Sequence, residues 1–387
     1  SVLEVLRKGW LTQGPKVAEF EQAVAEFTGA KYAVAVSSGT AGLHISCLAA
    51  DIGQDSVVYT SSNTFVASAN AVLYAGGQPR FCDIEPETLN LSPDYLEEKL
   101  QNGSHLDCII PVHFAGLPCD MKRIKSIADN HGAKIIEDAS HAFGATYSNG
   151  NKVGNCSYSD MTVFSLHPVK GITSGEGGIV TTNDDAIYRK LLLLRSHGIS
   201  KGGFELQSRA HKDNVNFFFS EDASHEGKMN PWYYEMQELG FNYRLTDFQC
   251  ALVLSQMKKT EMFLKRRTAI ALLYDKLFKD NQHIVVKQKH NRLENSLHLY
   301  VIEIDFTAIG MSRGNFMREL AKNDIGTQVH YIPVPFHPYY ANLGHKREDF
   351  PVSKEYYDKA LSIPIYYSLS DEEVFYVATE IKRLVAR

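Results

Sequence analysis

The first part of the chain alternates between two spacings of hydrophobic residues. Short apolar runs rich in β-branched side chains predict strands, and segments with apolar residues three or four positions apart predict helices. The predicted strands cover residues 32–36, 57–60, 79–84, 108–113, 134–138 and 161–166, and the predicted helices between them cover 15–27, 41–50, 65–74, 93–100 and 121–130. This alternation is typical of an α/β domain with a mostly parallel sheet covered by helices.

The pattern changes in the second part of the chain. Residues 199–234 mix glycine, serine, histidine and charged side chains, and they predict a long loop. After it, helices are predicted from Thr246 onwards and over 258–279, 314–322, 353–361 and 371–384, with strands over 284–286 and 298–304. We therefore predict a large domain over residues 1–246 and a smaller C-terminal α/β domain over residues 247–387.

The composition excludes several classes of protein. A chain of 387 residues can form two domains with a large core. The net charge of −5 and the lack of a long basic run argue against a nucleic-acid binder. The six cysteines are scattered without a CxxC pair, so the sequence predicts neither a zinc site nor a disulfide framework.

The same features predict where the protein works. Scattered cysteines fit a reducing compartment, and neither a signal peptide nor an apolar run of membrane length is visible. We therefore expect a cytoplasmic protein with no membrane partner. Because the chain begins with Ser1 rather than methionine, we also expect that a short segment precedes it.

One lysine stands in a glycine-rich turn between two predicted strands. The apolar run 161–166 is followed by Pro168, which has no N–H group for a sheet, and glycines then precede a strand that opens at Ile179. Charged side chains are rarely buried without a partner. A buried Lys170 with a lowered pKa would suit an amine nucleophile or a Schiff base. A surface lysine in a hairpin loop is the alternative.

Two further turns follow strands of the same predicted sheet, and we expect them to converge with the turn that carries Lys170. In such sheets, ligands bind at the carboxyl ends of the strands. Residues 37–40, Ser-Ser-Gly-Thr, precede a helix whose first N–H groups could bind an anion or be closed by an ordinary N-cap. Glu137 and Asp138 end a predicted buried strand, where a carboxylate needs a partner. Alternatively, Asp138 is only a cap and Glu137 faces solvent. A phosphate site, a carboxylate and a lysine together are what pyridoxal 5′-phosphate (PLP) requires.

Longer stretches of the sequence resemble the DegT/DnrJ/EryC1/StrS family of sugar aminotransferases almost from end to end. They include LTQGPKVAEFE, VAVSSGTAGLH, TSSNTFVASANAVLYAGG, IIPVHFAGLPCDM, IIEDASHAFGA, FSLHPVKGITSGEGG, LRSHGI, LGFNYRLTDFQCAL and VHYIPV. The resemblance implies the aspartate-aminotransferase-like fold of PLP-dependent transferases of fold type I. The stretches PWYYEMQELGFNYRLTD, HPVKGITSGEGG and VHYIPVPFHPYYANLG are most similar to the members that act in pseudaminic acid biosynthesis.

The resemblance also implies roles for individual residues toward the cofactor. Lys170 would hold PLP covalently and then act as the catalytic base, and Asp138 would pair with the pyridine nitrogen. The remaining cofactor contacts would come from the ring neighbours Phe65 and His141, the phosphate ligands Gly39, Thr40 and Ser165, and Asn242 of a second subunit. The protein would therefore be a homodimer with shared active sites.

For the substrates, the resemblance implies L-glutamate as amino donor and a UDP-4-keto-6-deoxy-2-acetamido hexose as acceptor. The acceptor would be UDP-2-acetamido-2,6-dideoxy-β-L-arabino-hex-4-ulose. Its contacts would come from Thr12, Gln13, Tyr243, Arg244, His330 and Tyr331, although Arg244 could equally form a structural ion pair.

Three alternatives remain at this point. The chain could aminate another nucleotide sugar at C4 or C3, for instance a D-configured UDP- or dTDP-sugar. It could be a dehydratase of the same fold, but these commonly replace the lysine by histidine, and Lys170 argues against this. It could also be a non-catalytic PLP-binding regulator, although no basic face is visible. No metal site is expected, because His197 and His337 lack a partnering cysteine or carboxylate pattern.

Overall fold

The computed structural model describes residues 1–101, 103–200, 232–289 and 292–386. Its main sheet has seven strands in the order β1-β7-β6-β5-β4-β2-β3. The strands are β1 (Tyr32–Val36), β2 (Val57–Ser61), β3 (Gln78–Cys82), β4 (Cys108–Ile110), β5 (Lys134–Asp138), β6 (Met161–Ser165) and β7 (Gly178–Thr182). Strands β2 to β6 pair in parallel, whereas β7 runs antiparallel to β6 and β1. The prediction of a mostly parallel α/β sheet is confirmed.

Helices pack on this sheet and on each other. They are α1 (Val2–Lys8), α2 (Pro15–Thr28), α3 (Gly39–Ala49), α4 (Ala67–Tyr74), α5 (Pro93–Gln101), α6 (Met121–His131) and α7 (Asp185–Arg195). Successive strand residues point to opposite faces, so that Ile135 and Ile136 of β5 enter two different hydrophobic cores. Helices α1 and α7 were not predicted, although Asp184 caps α7 by accepting from the N–H groups of Ala186 and Ile187.

The C-terminal part has a second sheet of three antiparallel strands, in the order β10-β11-β12. Its elements are α8 (Asp247–Met257), α9 (Thr260–Phe278), β10 (Ile284–Val286), β11 (Tyr300–Ile304), α10 (Arg313–Ala321), α11 (Pro338–Asn342), α12 (Pro351–Lys359), β12 (Ala360–Ile363) and α13 (Asp371–Val385). The helix predicted over 353–361 is wrong at its end. There the chain enters β12, because Leu361 and Ile363 fill the core while the backbone pairs with β11.

Most of the loop predicted over 199–234 lies outside the described residues. At its two ends, β8 (Ile199–Ser200) pairs antiparallel with β9 (Glu235–Met236). The division after residue 246 stays a prediction; helix α8, which follows it, packs against α2 and α1. None of the described helices combines the length and the apolar character needed to cross a lipid bilayer.

Candidate functional site

Asp138 lies at the carboxyl end of the parallel strands. It is the last residue of β5 and is only 5% exposed. One carboxylate oxygen accepts a hydrogen bond from Ser68 Oγ of α4 at 2.7 Å, and the other accepts from the Ser140 N–H at 3.1 Å. These two donors fix the carboxylate in place without neutralising its charge.

Lys170 lies in the turn that follows β6, where its N–H donates to the His167 carbonyl at 2.9 Å. The side chain points into the protein rather than to solvent. Burial lowers the pKa of Lys170 to about 8, and the negative charge of Asp138 opposes this shift. The two side chains are therefore close enough to interact, and the alternative of a surface lysine is wrong.

A cavity of about 410 Å³ brings the two groups together. Eight of the predicted site residues line it: Gly39, Thr40, Phe65, Asp138, His141, Ser165, Lys170 and Tyr331. Its volume is in the range of small-molecule sites, and it lies at the edge of the sheet where such folds bind ligands.

The N-terminus of α3 forms one wall of this cavity. A Cβ atom on Gly39 would lie 2.9 Å from the Cβ of Ser165, and one on Gly178 would lie 2.6 Å from the Ser38 carbonyl carbon. Only glycine permits this close approach. Ser38 caps the helix by accepting from the Ala41 N–H, so the ordinary cap is present. The N–H groups of Gly39 and Thr40 have no intrahelical acceptor, and they remain available to an anion.

Neutral aromatic side chains form the opposite wall. His141 Nε2 and the Tyr331 hydroxyl are 3.0 Å apart, and the Phe65 and Tyr331 ring centroids are 6.1 Å apart. Phe65 is 57% exposed, so it is not a core residue. Burial lowers the pKa of His141 well below its ordinary value, and the charge of Lys170 lowers it further. His330 is also kept neutral, because burial and Lys170 lower its pKa to about 4.

Six of the predicted residues do not line the cavity, and one of them is His330, whose Nδ1 is 2.9 Å from the Ser362 hydroxyl. Asn242 is exposed and forms a β-bridge with Ser196, and the Tyr243 hydroxyl is 3.2 Å from His44 Nδ1. The others are Thr12, which bridges to Thr246, exposed Gln13, and Arg244, which forms no ion pair with any described residue.

Glu137 is fully buried, so the alternative in which it faces solvent is wrong. Its carboxylate accepts four hydrogen bonds, from His113 Nε2 (2.7 Å), Tyr147 OH (2.7 Å), Ser159 Oγ (2.5 Å) and Thr162 Oγ1 (3.0 Å). Burial alone would raise the pKa of Glu137, but these donors, led by His113, lower it. His113 Nδ1 accepts from the Cys119 N–H, so His113 is the tautomer that carries its proton on Nε2. The sequence pattern contained no spacing that indicates this network.

Replacing Glu137 by alanine is expected to lower the free energy of unfolding by about 3–5 kcal/mol, because four buried donors would lose their acceptor. Urea unfolding measures this loss. The matched control is Glu97→Ala on the surface of α5, which removes an exposed ion pair with Arg123 and is expected to change stability by less than about 1 kcal/mol. Equal effects of the two substitutions would contradict the account of the buried network.

Among the described ranges, no group of three or more histidine, cysteine, aspartate or glutamate residues is arranged to hold a metal ion. The site therefore consists of an amine, a carboxylate, a helix N-terminus and aromatic walls. A mostly parallel sheet with a buried lysine and an acid at its carboxyl edge defines the class of PLP-dependent α/β transferases.

Comparison with known proteins supports this class and identifies one family within it. The chain belongs to the DegT/DnrJ/EryC1/StrS aminotransferase family, whose model matches residues 1–382. Enzymes of this family depend on PLP, so the predicted cofactor and fold are both confirmed.

Individual relatives cover nearly the whole chain. The spore coat polysaccharide biosynthesis protein SpsC of Bacillus subtilis is 38% identical over 99% of this chain and 93% of its own length. The structure of Helicobacter pylori PseC, an aminotransferase involved in the biosynthesis of pseudaminic acid, matches with a TM-score of 0.86 and 30% identity, covering 100% of this chain and 95% of PseC. The PLP form of the sugar aminotransferase Spr1654 from Streptococcus pneumoniae matches with a TM-score of 0.85 and 27% identity, covering 100% and 95%.

The residues of the cavity fit the cofactor. The close contact between Gly39 and Ser165 leaves a helix N-terminus open to a phosphate, and Asp138 and Lys170 face the same space from two strand ends. Ser68 was missed by the sequence analysis. It lies one helical turn beyond Phe65, and nothing in its spacing marks it as a donor to Asp138.

Proposed function

We propose that this protein transfers the amino group of L-glutamate to C4 of UDP-2-acetamido-2,6-dideoxy-β-L-arabino-hex-4-ulose, in pseudaminic acid biosynthesis. The likeness to PseC over the whole chain supports this acceptor. The observation that carries the chemistry is the meeting of Lys170 and Asp138 in one cavity. A cytoplasmic location is part of the proposal.

When bound, PLP supplies an electron-accepting ring that stores the amino group between the two half-reactions. Lys170 would hold the cofactor covalently, and its freed amine would carry a proton away from the donor's Cα and supply one to the sugar carbon. Its lowered pKa of about 8 suits both tasks, because the neutral amine is well populated near physiological pH. Asp138, held by Ser68 and Ser140, would keep the ring nitrogen protonated.

Other residues orient the ligands. The N–H groups of Gly39 and Thr40, with Ser165, would bind the cofactor phosphate. Phe65 would pack against the ring, and His141 would lie near the ring oxygen. Asn242 is exposed in one protomer, which supports a role in the neighbouring subunit's site and therefore a homodimer.

The acceptor sugar is bound near the open side of the cavity in this proposal. Tyr331 lines the cavity, and His330 precedes this tyrosine in the chain. Thr12, Gln13, Tyr243 and Arg244 would contact the nucleotide from outside the protomer's own cavity. Arg244 has no ion-pair partner among the described residues, which leaves its charge available to a diphosphate.

A second candidate is the amination of a different nucleotide sugar, and one observation favours it. SpsC, named for spore coat polysaccharide biosynthesis, has a higher sequence identity, 38%, than PseC, 30%. The residues that hold the cofactor would be the same in both cases, so the two candidates differ only in the sugar.

An assay with several ketosugars separates them. The purified enzyme is given L-glutamate and, in turn, the β-L-arabino ketone, its D-configured UDP counterpart and a dTDP-4-keto-6-deoxy sugar, and 2-oxoglutarate is measured. We expect kcat/KM for the β-L-arabino ketone to exceed the others by at least about 100-fold, because a sugar of the wrong configuration would leave polar groups of the site unpaired. A preference for another ketosugar would refute the specific acceptor and leave the aminotransferase chemistry intact.

A further inference from the structure

A second, much smaller cavity lies against Lys170. It has a volume of about 20 Å³ and is lined in part by Lys170, His141, Thr260, Ser296, His298 and Arg267. Ser140, His141, Ser165 and Lys170 line both cavities, so these four residues lie between the small cavity and the open one. A water molecule requires about 10–15 Å³ measured in this way, so the small cavity has room for one.

Three residues that line this cavity each carry a polar atom without a protein partner. These atoms are His141 Nδ1, Thr260 Oγ1 and His298 Nδ1. All three are buried, and none forms a hydrogen bond with a described residue. The three residues are 7%, 3% and 9% exposed. Buried polar groups of native proteins are nearly always paired, with ordered water where protein atoms do not reach. Three such atoms around one water-sized space therefore point to a bound water.

The charges around the small cavity are compatible with a neutral molecule such as water. The His141 and His298 rings are 4.3 Å apart between centroids, and burial followed by the charge of Lys170 lowers the pKa of each well below its ordinary value. Arg267 directs its guanidinium Nη1 to the carbonyls of Leu297, His298 and Ile365. Two other groups interact with the charge of Lys170. Asp138 raises the pKa of Lys170 from the open cavity, and Lys170 helps to lower the pKa of His330, which is neutral.

We propose that Thr260 and His298 hold one buried water against His141 on the side of Lys170 away from the open cavity. His298 is then a positioning residue for Lys170 and His141. The inference rests on the proposed role of Lys170 and adds to it the group that sets its protonation. Two hydrogens and two lone pairs allow one water to satisfy the three atoms and still reach the lysine amine.

Two consequences follow for the catalytic groups. The water solvates the Lys170 ammonium, so removing the water should lower the pKa of that amine further, because its charged form loses a partner. The water also fixes the His141 ring, whose other nitrogen meets the Tyr331 hydroxyl at 3.0 Å. The Ser296 hydroxyl also holds the His141 backbone in place, because it donates to the His141 carbonyl at 2.6 Å.

The test compares His298→Leu with His298→Asn. Leucine removes the polar atom, whereas asparagine places an amide near the position of Nδ1 and should keep the water. The pH dependence of acylation of the Lys170 amine is followed in the cofactor-free protein by mass spectrometry. We expect a midpoint near 8 in the unaltered protein and in His298→Asn. In His298→Leu we expect a midpoint lower by about one pH unit, as for the loss of one hydrogen bond to a charged group.

Thr260→Val provides a second variant that changes almost no volume, and it carries the test if His298→Leu does not fold. Its midpoint should fall in the same direction. Unchanged midpoints in the folded leucine and valine variants would overturn the proposal, as would a high-resolution crystal structure of the unaltered protein with a dry cavity. Labelling of the cofactor-free protein involves no sugar and no donor, so a failure of the proposed function would leave this result untouched.

Discussion

Replacing Lys170 by alanine is expected to reduce multiple turnover by at least about 10⁴-fold, because the variant loses both the covalent link to the cofactor and the proton carrier. The fold should survive, since the substitution removes a charge that is costly to bury. The variant should still bind the amine form of the cofactor and retain it without turnover. Steady-state assays with glutamate and a ketosugar, together with mass analysis of the bound cofactor, measure both effects.

Lys125→Ala is the matched control, because Lys125 lies on the exposed surface of α6 and pairs there with Asp129. Its activity should equal that of the unaltered enzyme. Normal multiple turnover by the Lys170→Ala variant would remove this lysine from the mechanism.

Replacing Asp138 by asparagine is expected to lower kcat by about 10²–10³-fold, the scale seen when one preorganised electrostatic partner is removed from an active site. Asparagine keeps the size of the side chain and can still accept from Ser68, but it carries no charge to hold a proton on the ring nitrogen. The loss should therefore appear in kcat more than in the binding of the cofactor.

The same variant has a second expected result. The charge of Asp138 raises the pKa of Lys170, so its removal should move the midpoint of amine titration below about 8. Asp129→Asn on the surface of α6 serves as the control for loss of one carboxylate charge. A Lys170 midpoint unchanged in Asp138→Asn would show that the two groups do not interact as the geometry requires.

Much of the architecture follows from local patterns. Apolar runs separated by amphipathic segments predicted the strands of the parallel sheet, because strands buried on both faces are apolar throughout. The end of the helix predicted over 353–361 was wrong, because the pattern of one segment does not show which strand it will pair with. A short alternating segment such as Ala360–Ile363 becomes a strand only because β11 offers it a partner, and pairing between distant segments leaves no mark in one of them.

The residues of the site also fall into two groups, those that the sequence indicated and those that it did not. Lys170 and Asp138 stood out because a charge next to a buried strand needs an explanation, and the structure places both in one cavity. Glu137 precedes Asp138 in β5, but its burial depends on His113, Tyr147, Ser159 and Thr162, which come together only in the folded chain. His298 begins the strand predicted over 298–304, but β11 starts only at Tyr300, and the role proposed for His298 depends on the cavity that it lines.

The most direct test of the central claim is to identify the residue that binds the cofactor. The enzyme is loaded with PLP, the bond between the lysine amine and the cofactor aldehyde is fixed with borohydride, and the digest is analysed by mass spectrometry. The account predicts the added mass on Lys170, and its loss from that peptide in Lys170→Ala. A label on another lysine, or a loaded enzyme without any covalent label, would contradict it.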